Sequence, residues 1–315
     1  MIKLIELFAG VGTQRKALEQ LSEINTIGIS EIDPRALKVY DALFPYTFNF
    51  GDITQISDLP YADIWTYSFP CTDISIAGKQ IGLLGSKSGL LYEVLRLLKK
   101  SPKPKCLIME NVSNLVSPKF LLGFEDWIKA LQELGYKTFW KKMKASEYNG
   151  MTIRNRVFAV SVLADMDDFH FPKKTNNYLV MKDILDSPLS ENFVDNSTLF
   201  KELPCNYTSA IKIADYHGGG QGNRIYSIYG KGITLTATGG GKGGSSGLYC
   251  RPEGIYKLSG KEMCRAMGWD ELSIDIINSV ASTREIGFLM GNAIDLNLFS
   301  LLMQAVVEQY FNGGD

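Results

Sequence analysis

Ile2-Lys-Leu-Ile-Glu-Leu-Phe-Ala-Gly-Val-Gly-Thr13 decides the fold: a β-favouring apolar run ends in a two-glycine turn, and a helical pattern at 14–21 follows at once. A strand that feeds a helix through a glycine turn opens a βαβ unit. The rhythm repeats down the chain. Apolar runs at 26–30, 64–67 and 106–109 are followed by helical patterns at 35–43, 90–98 and 120–134. Short, nearly continuous apolar strands alternating with helices predict a parallel sheet covered on both faces. Two more strand-like runs, 137–142 and 157–163, would complete it. The expectation is an α/β protein with a doubly wound, mostly parallel sheet over residues 1–164.

At Ala164 the rhythm stops. Residues 164–206 are polar and irregular, and two glycine-rich stretches follow, His217-Gly-Gly-Gly-Gln-Gly222 and Gly239-Gly-Gly-Lys-Gly-Gly-Ser-Ser-Gly247. Each adjoins a strand-like run, at 224–229 and 233–237. Flexible linkers would explain the glycines, but glycine loops set between β segments also let backbone approach a ligand closely. Residues 165–282 are therefore expected to form a smaller, β-rich domain. The last segment, 283–315, carries a helical pattern at 295–310 whose apolar face should return to the first core.

Composition excludes several classes. With 315 residues, 45% hydrophobic and 21% charged, the chain reads as a globular protein. Its five cysteines contain no C-x-x-C pair and its histidines number two, so neither a disulfide framework nor a zinc site is indicated and no metal is expected. No uninterrupted apolar run approaches the roughly 18 residues of a membrane span, which points to a cytoplasmic protein. A net charge of −1 does not announce a nucleic-acid binder. Between Cys205 and Arg265, however, eight basic residues face three acids. That surplus suits a solvated surface and a DNA contact equally well.

Gly10-Val-Gly12 sits where the first strand meets the first helix, and Glu31 lies about twenty residues on. In a doubly wound sheet this puts a glycine turn and a carboxylate at the crevice where nucleotide-like ligands bind. Glu31 can accept from ribose hydroxyls and Asp52 from an adenine amino group. The layout would also serve NAD, except that the third glycine of that fingerprint is missing. Taken singly, Asp52 could be a helix cap and Glu31 a surface charge. Ser68-Phe-Pro-Cys-Thr-Asp73 and Glu110-Asn-Val112 each follow a parallel strand, so Cys71 and Glu110 should converge on one sheet edge. A cysteine and a carboxylate paired beside a cofactor turn suggest nucleophile and acid.

Phe8-Ala-Gly-Val-Gly12, Pro70-Cys71, Glu110-Asn111-Val112, Arg154-x-Arg156 and Gly291-Asn292-Ala293, in this order, resemble the motifs of the cytosine-5 DNA methyltransferases. The likeness runs from about residue 2 to residue 310. It implies the S-adenosylmethionine-dependent methyltransferase fold with a target-recognition domain, and methyl transfer from S-adenosylmethionine to carbon 5 of a flipped-out cytosine. Phe8, Gly10, Gly12, Glu31, Ile32, Asp52 and Asn292 would hold the cofactor; Cys71, Glu110, Arg154 and Arg156 would serve catalysis. Double-stranded DNA is the implied partner, with a separate restriction endonuclease a further one, and the protein is expected to be a monomer.

Residues 218–224 and 238–247 resemble the recognition loops of bacterial family members that act within GCGC. Gln221, Arg224 and Thr238 are the DNA-reading candidates, and the target is expected to contain GC. Phosphate contact for Arg224 and plain loop polarity for Gln221 are alternatives. Thr13, Thr72 and Thr152 stand where the family pattern has a glycine and two glutamines. An RNA methyltransferase of the same superfamily would carry similar catalytic residues. An inactive DNA-binding relic would have lost Cys71, Glu110 or Arg154, and all three are present.

Overall fold

The computed structural model describes residues 1–70, 88–163, 168–175, 177–187, 190–196, 199–218 and 220–311. Strands β1 (Ile2–Leu7), β2 (Ile24–Ser30), β3 (Ile64–Tyr67), β4 (Cys106–Val112), β5 (Lys137–Lys144) and β6 (Asn155–Val162) form one sheet in the order β2-β1-β3-β4-β6-β5. The first four pair in parallel, as the strand-helix alternation requires. β6 inserts antiparallel between β4 and β5, so the last two predicted strands do complete the sheet but make it mixed. Helices α1 (Thr13–Glu19), α2 (Pro34–Leu43), α3 (Leu91–Lys100) and α4 (Leu121–Glu133) supply the crossovers.

Near-continuous burial of the central strands follows from having helices on both faces. Alternate residues of each strand point to opposite cores, as the two-residue repeat demands. Ile64, Ile108, Phe158 and Val160 face α1, α2 and the last helix. Trp65, Tyr67, Leu107, Met109, Val157 and Ala159 face α3 and α4. Asp33 starts α2 by accepting from the Arg35 amide, with Pro34 at the first helical position, where its missing N–H costs nothing.

A second sheet of five strands has the order β7-β11-β10-β9-β8: β7 (Phe193–Asp195), β8 (Lys212–Asp215), β9 (Arg224–Ser227), β10 (Leu248–Arg251) and β11 (Gly254–Tyr256). Its two faces are both buried. Tyr226 and Tyr249 join the larger core, while Ile225, Leu248, Cys250 and Ile255 close a small one of their own. The run 233–237, read as a strand, is not one. Its backbone is engaged by a side chain and by a glycine loop instead of a neighbouring strand: Leu235 O accepts from Arg154, and the Thr236 amide donates to Ser245 O.

The glycine stretches are not linkers. They lie backbone against backbone, with Gly243 N donating to Gly222 O at 2.6 Å. A Cβ on Gly222 would fall 1.5 Å from the Gly240 carbonyl oxygen, so glycine is required there by close approach.

Three helices follow that strand-helix patterning did not announce: α5 (Gly260–Ala266), α6 (Glu271–Val280) and α7 (Thr283–Asn292). α5 packs on α7 and α6 on α2, and Lys16 of α1 pairs with Asp270, the cap of α6, at 2.9 Å. The closing helix α8 (Leu296–Tyr310) begins one residue after its cap, Asp295, and returns to the first core against α1. The stretch Thr283–Tyr310 is apolar enough to span a membrane by composition, but 67% of that window is buried inside the protein. It is core.

Candidate active site

A cavity of about 540 Å³ opens at the C-terminal ends of β1 to β4, the edge where open α/β sheets hold their ligands. Its volume lies within the usual range of small-molecule sites, roughly 300–1,000 Å³. Phe8, Gly10, Glu31, Ile32, Asp52 and Asn292 all line it, and so do Pro70, Glu110, Arg154 and Arg156. Chain segments separated by more than 280 residues in sequence thus meet in one hollow.

One end of the cavity is built from backbone turns. Glu31 follows β2 and is held from both sides: Oε2 accepts from the Gly10 amide at 2.8 Å, and Oε1 from the amides of Ile32 and Asp33, each at 2.8 Å. Asn49 locks its backbone, donating to Glu31 O and accepting from the amides of Glu31 and Gly51. One residue past Gly51 comes Asp52. Its Oδ1 caps the short turn Ile53–Gln55 through the Thr54 amide and hydroxyl, both at 2.9 Å, so the capping role and the cavity-lining position coexist.

Gly12 does not line the cavity. It adopts φ 82°, and a Cβ there would meet the Phe44 ring at 2.5 Å; its service is to let α1 start behind the cavity wall. Ile32 stands 67% exposed at the rim, an apolar face turned to the opening.

These residues fit an adenosyl cofactor: the carboxylates accept, Phe8 and Ile32 offer apolar surface, and the hollow is large enough. Deeper in the fold, Glu6 is fully buried beneath the turn, accepting from the Tyr40 hydroxyl and the Arg15 amide. Loss of hydration pushes its carboxyl up to about 7.

At the other end Glu110 lies two residues before the end of β4, 6% exposed. Arg156 on the adjacent β6 brings Nε to 2.8 Å from Glu110 Oε1. Burial raises the Glu110 carboxyl above its ordinary value, while Arg156 and Arg154 pull it back. The two arginines, equal in the sequence, part company here. Arg154, 1% exposed, spends its guanidinium on the carbonyls of Leu235, Gly291 and Ala293. Asn111, quoted in its motif but given no role of its own, donates to Phe69 O at 3.0 Å and so ties β4 to the segment that leads to residue 71. Cys71 and Thr72 lie outside the described residues.

A family model described as C-5 cytosine-specific DNA methylase matches residues 2–308. The chain belongs to that family. Type II methyltransferase M2.ScrFI of Lactococcus lactis subsp. cremoris is 31% identical over an alignment covering 98% of this chain and 99% of that protein. Type II methyltransferase M.HhaI of Haemophilus parahaemolyticus is likewise 31% identical, covering 96% of this chain and 93% of its own. Among solved structures, the S. pombe Dnmt2 methyltransferase superposes with a TM-score of 0.73 at 17% identity, covering 99% of this chain and all of that one. The Entamoeba histolytica methyltransferase EhMeth gives 0.75 at 16%, with 98% of each chain covered. These two likenesses bear on the fold. The methylase is a DNA cytosine-5 methyltransferase that uses S-adenosylmethionine.

The basic surplus of the methylase is largely spent internally. Arg251 pairs with Glu262 in the interior, Lys231 is fully buried with Nζ donating to Leu179 O, and Lys212, Lys261 and Arg265 are ion-paired. Arg224, Lys242 and Lys257 remain outside those ion pairs. Arg224 and Thr238 are exposed, at the start of β9 and at the start of the second glycine loop. Gln221 opens the short turn Gln221–Asn223, directly before Arg224.

Proposed function

We propose that the methylase transfers the methyl group of S-adenosylmethionine to carbon 5 of a flipped-out cytosine in a short GC-containing DNA sequence, through a covalent bond to Cys71. The observation that carries this is the buried Glu110–Arg156 pair set in the same cavity wall as Pro70 and opposite Glu31 and Asp52. Bound there, S-adenosylmethionine supplies an electrophilic methyl group; the chain supplies the rest.

The Cys71 thiolate adds to carbon 6 of the ring, and the electron pair released toward carbon 5 makes that carbon nucleophilic. Glu110, its carboxyl raised above the ordinary value by burial, holds a proton at ring nitrogen 3 as negative charge develops. Arg156 steadies Glu110 and faces the base carbonyl. Carbon 5 takes the methyl group; a base then removes the carbon-5 proton, the electrons return to the ring and Cys71 departs. Flipping the target costs a few kcal/mol of stacking and pairing, offset by contacts from Arg224, Gln221 and Thr238.

The division 1–164, 165–282 and 283–315 into catalytic, target-recognition and returning segments accords with the two sheets. A cytoplasmic monomer, with a cognate restriction endonuclease acting separately, completes the proposal.

Labelled methyl transfer to unmethylated plasmid DNA, with tRNA alongside and 5-methylcytosine mapped by bisulfite sequencing, tests it. The expected result is modification at one short GC-containing sequence by the parent and none by Cys71→Ser. Activity retained in Cys71→Ser would remove the nucleophile, and label on tRNA alone would move the substrate to RNA.

A further inference from the structure

Helix α7 touches both ends of the methylase. Its last residue, Asn292, lines the cofactor cavity. Its Gly291 lies so close to the segment preceding the second glycine loop that a Cβ would stand 2.2 Å from the Ala237 nitrogen and 2.3 Å from the Thr236 carbonyl carbon. Four residues earlier, on the same helix face, a Cβ on Gly287 would meet Ser245 Oγ at 3.1 Å. Both ends of the loop therefore sit on α7.

Arg154 closes this join. Nη1 donates to Leu235 O at 3.1 Å, and Nη2 donates to Gly291 O at 3.0 Å and Ala293 O at 2.6 Å. One guanidinium thus holds carbonyls from the loop segment and from the residues flanking Asn292. Its planar array of donors can do this and a lysine ammonium cannot reproduce it. From the loop the contact continues outward, Gly243 N to Gly222 O and Lys242 N to Asn223 Oδ1, reaching the residue before Arg224.

We propose that Arg154 is a positioning residue that couples the cofactor cavity to the paired glycine loops, so that filling the cavity beside Asn292 orders residues 235–246. The proposal rests on the cofactor reading of the cavity. A shift at the end of α7 has no slack to absorb it, because loop backbone already lies in van der Waals contact at Gly291 and is hydrogen-bonded through Arg154. The consequence is directional: a cofactor-loaded methylase meets DNA with its loops already ordered and loses less conformational entropy on binding.

Hydrogen-exchange mass spectrometry on the full chain, with and without S-adenosylhomocysteine and without DNA, tests this. In the parent, exchange should slow in peptides lining the cavity and also across 235–246, by about fivefold or more, the lower end of ordinary site-to-site coupling. Arg154→Lys should keep the cavity response and lose the loop response, with KM for DNA rising. Protection of the cavity alone in the parent would overturn the coupling while leaving the cofactor reading intact. Protection nowhere would overturn both, and a loop response surviving in Arg154→Lys would remove Arg154 from the role. Should Arg154→Lys not fold, Gly287→Ala, which crowds Ser245 at Oγ (3.1 Å) and Cβ (3.2 Å), disturbs the same join between α7 and the loop, and a loop response left unchanged there would overturn the coupling.

Discussion

Arg156 Nε and Glu110 Oε1 are 2.8 Å apart, with the side chains 13% and 7% exposed. A carboxylate so placed needs its cation, because removing one partner of a buried pair leaves an uncompensated charge and costs roughly 3–5 kcal/mol. Arg156→Ala is therefore expected to lower thermal stability sharply, and Arg156→Ala with Glu110→Gln to recover much of the loss. Thermal denaturation of the four species in a double-mutant cycle measures the coupling; additive losses would show that the pair is not coupled.

The same pair makes a kinetic prediction. Glu110→Gln keeps the shape but cannot hold an ionisable proton, and general acid catalysis contributes about 10²- to 10⁴-fold. Single-turnover methyl transfer should slow by about that factor, while S-adenosylhomocysteine affinity measured by calorimetry stays near the parent's. An unchanged rate would take Glu110 out of the proton transfer.

Glu6 gives the methylase a pH dependence that surface carboxylates cannot. Its pKa rises from an ordinary 4.5 to about 7 in the folded state because burial strips its hydration. The folded state therefore binds this proton more tightly than the unfolded chain does. Its contribution is fully present below about pH 4.5 and is lost as pH climbs to about 7, a change of roughly 3 kcal/mol by proton linkage. Glu6→Gln, which can still accept from the Arg15 amide and bond the Tyr40 hydroxyl, should lose less stability than the parent over that interval. Urea denaturation at pH 5 and pH 8 decides it; parallel losses in the two proteins would contradict the buried carboxyl's role.

Much of this was legible beforehand because the nearly continuous apolar runs of β1, β3 and β4 and the helical period of α8 reflect burial, which is written directly in residue type. The cavity residues were legible for a different reason: the turn that carries Gly10 and the last stretch of strand that carries Glu110 are fixed by local chemistry and chain order. What escaped is long-range. Nothing near Arg154 in sequence announces carbonyls at 235, 291 and 293, nor does the sequence around Asn49 reveal its hold on Glu31. Helices α5, α6 and α7 did leave a trace. Ser259 with Glu262 and Ser282 with Glu285 are capping boxes, and Asp270 caps α6; that S-x-x-E signal would have found two of the three.

Asp52 separates two roles within one side chain. Oδ1 caps the turn, which leaves Oδ2 as the acceptor that the proposed cofactor site would use. Asp52→Asn retains the capping oxygen but replaces the second acceptor with a donor, so S-adenosylhomocysteine should bind about tenfold more weakly, near the 1–1.5 kcal/mol of one hydrogen bond. The melting temperature without ligand should stay close to the parent's. A melting point that falls with the affinity would assign Asp52 to the turn alone.

Gly222 tests the recognition surface apart from the cofactor. A methyl group there would occupy the place of the Gly240 carbonyl, 1.5 Å away, so Gly222→Ala must force the two glycine loops apart. The strands behind them are held by their own core of Ile225, Leu248, Cys250 and Ile255, which leaves the sheet intact when the loops separate. Displacement should move Arg224 and Thr238 relative to each other and weaken DNA binding by about 10-fold or more, a loss comparable to the roughly 1–3 kcal/mol of one good base contact. Fluorescence anisotropy with a duplex carrying the mapped target, alongside calorimetry with S-adenosylhomocysteine, reads both sites in one variant. DNA affinity unchanged in a folded Gly222→Ala protein would mean that the loops do not meet the duplex, and the reading surface would have to be sought elsewhere on the methylase.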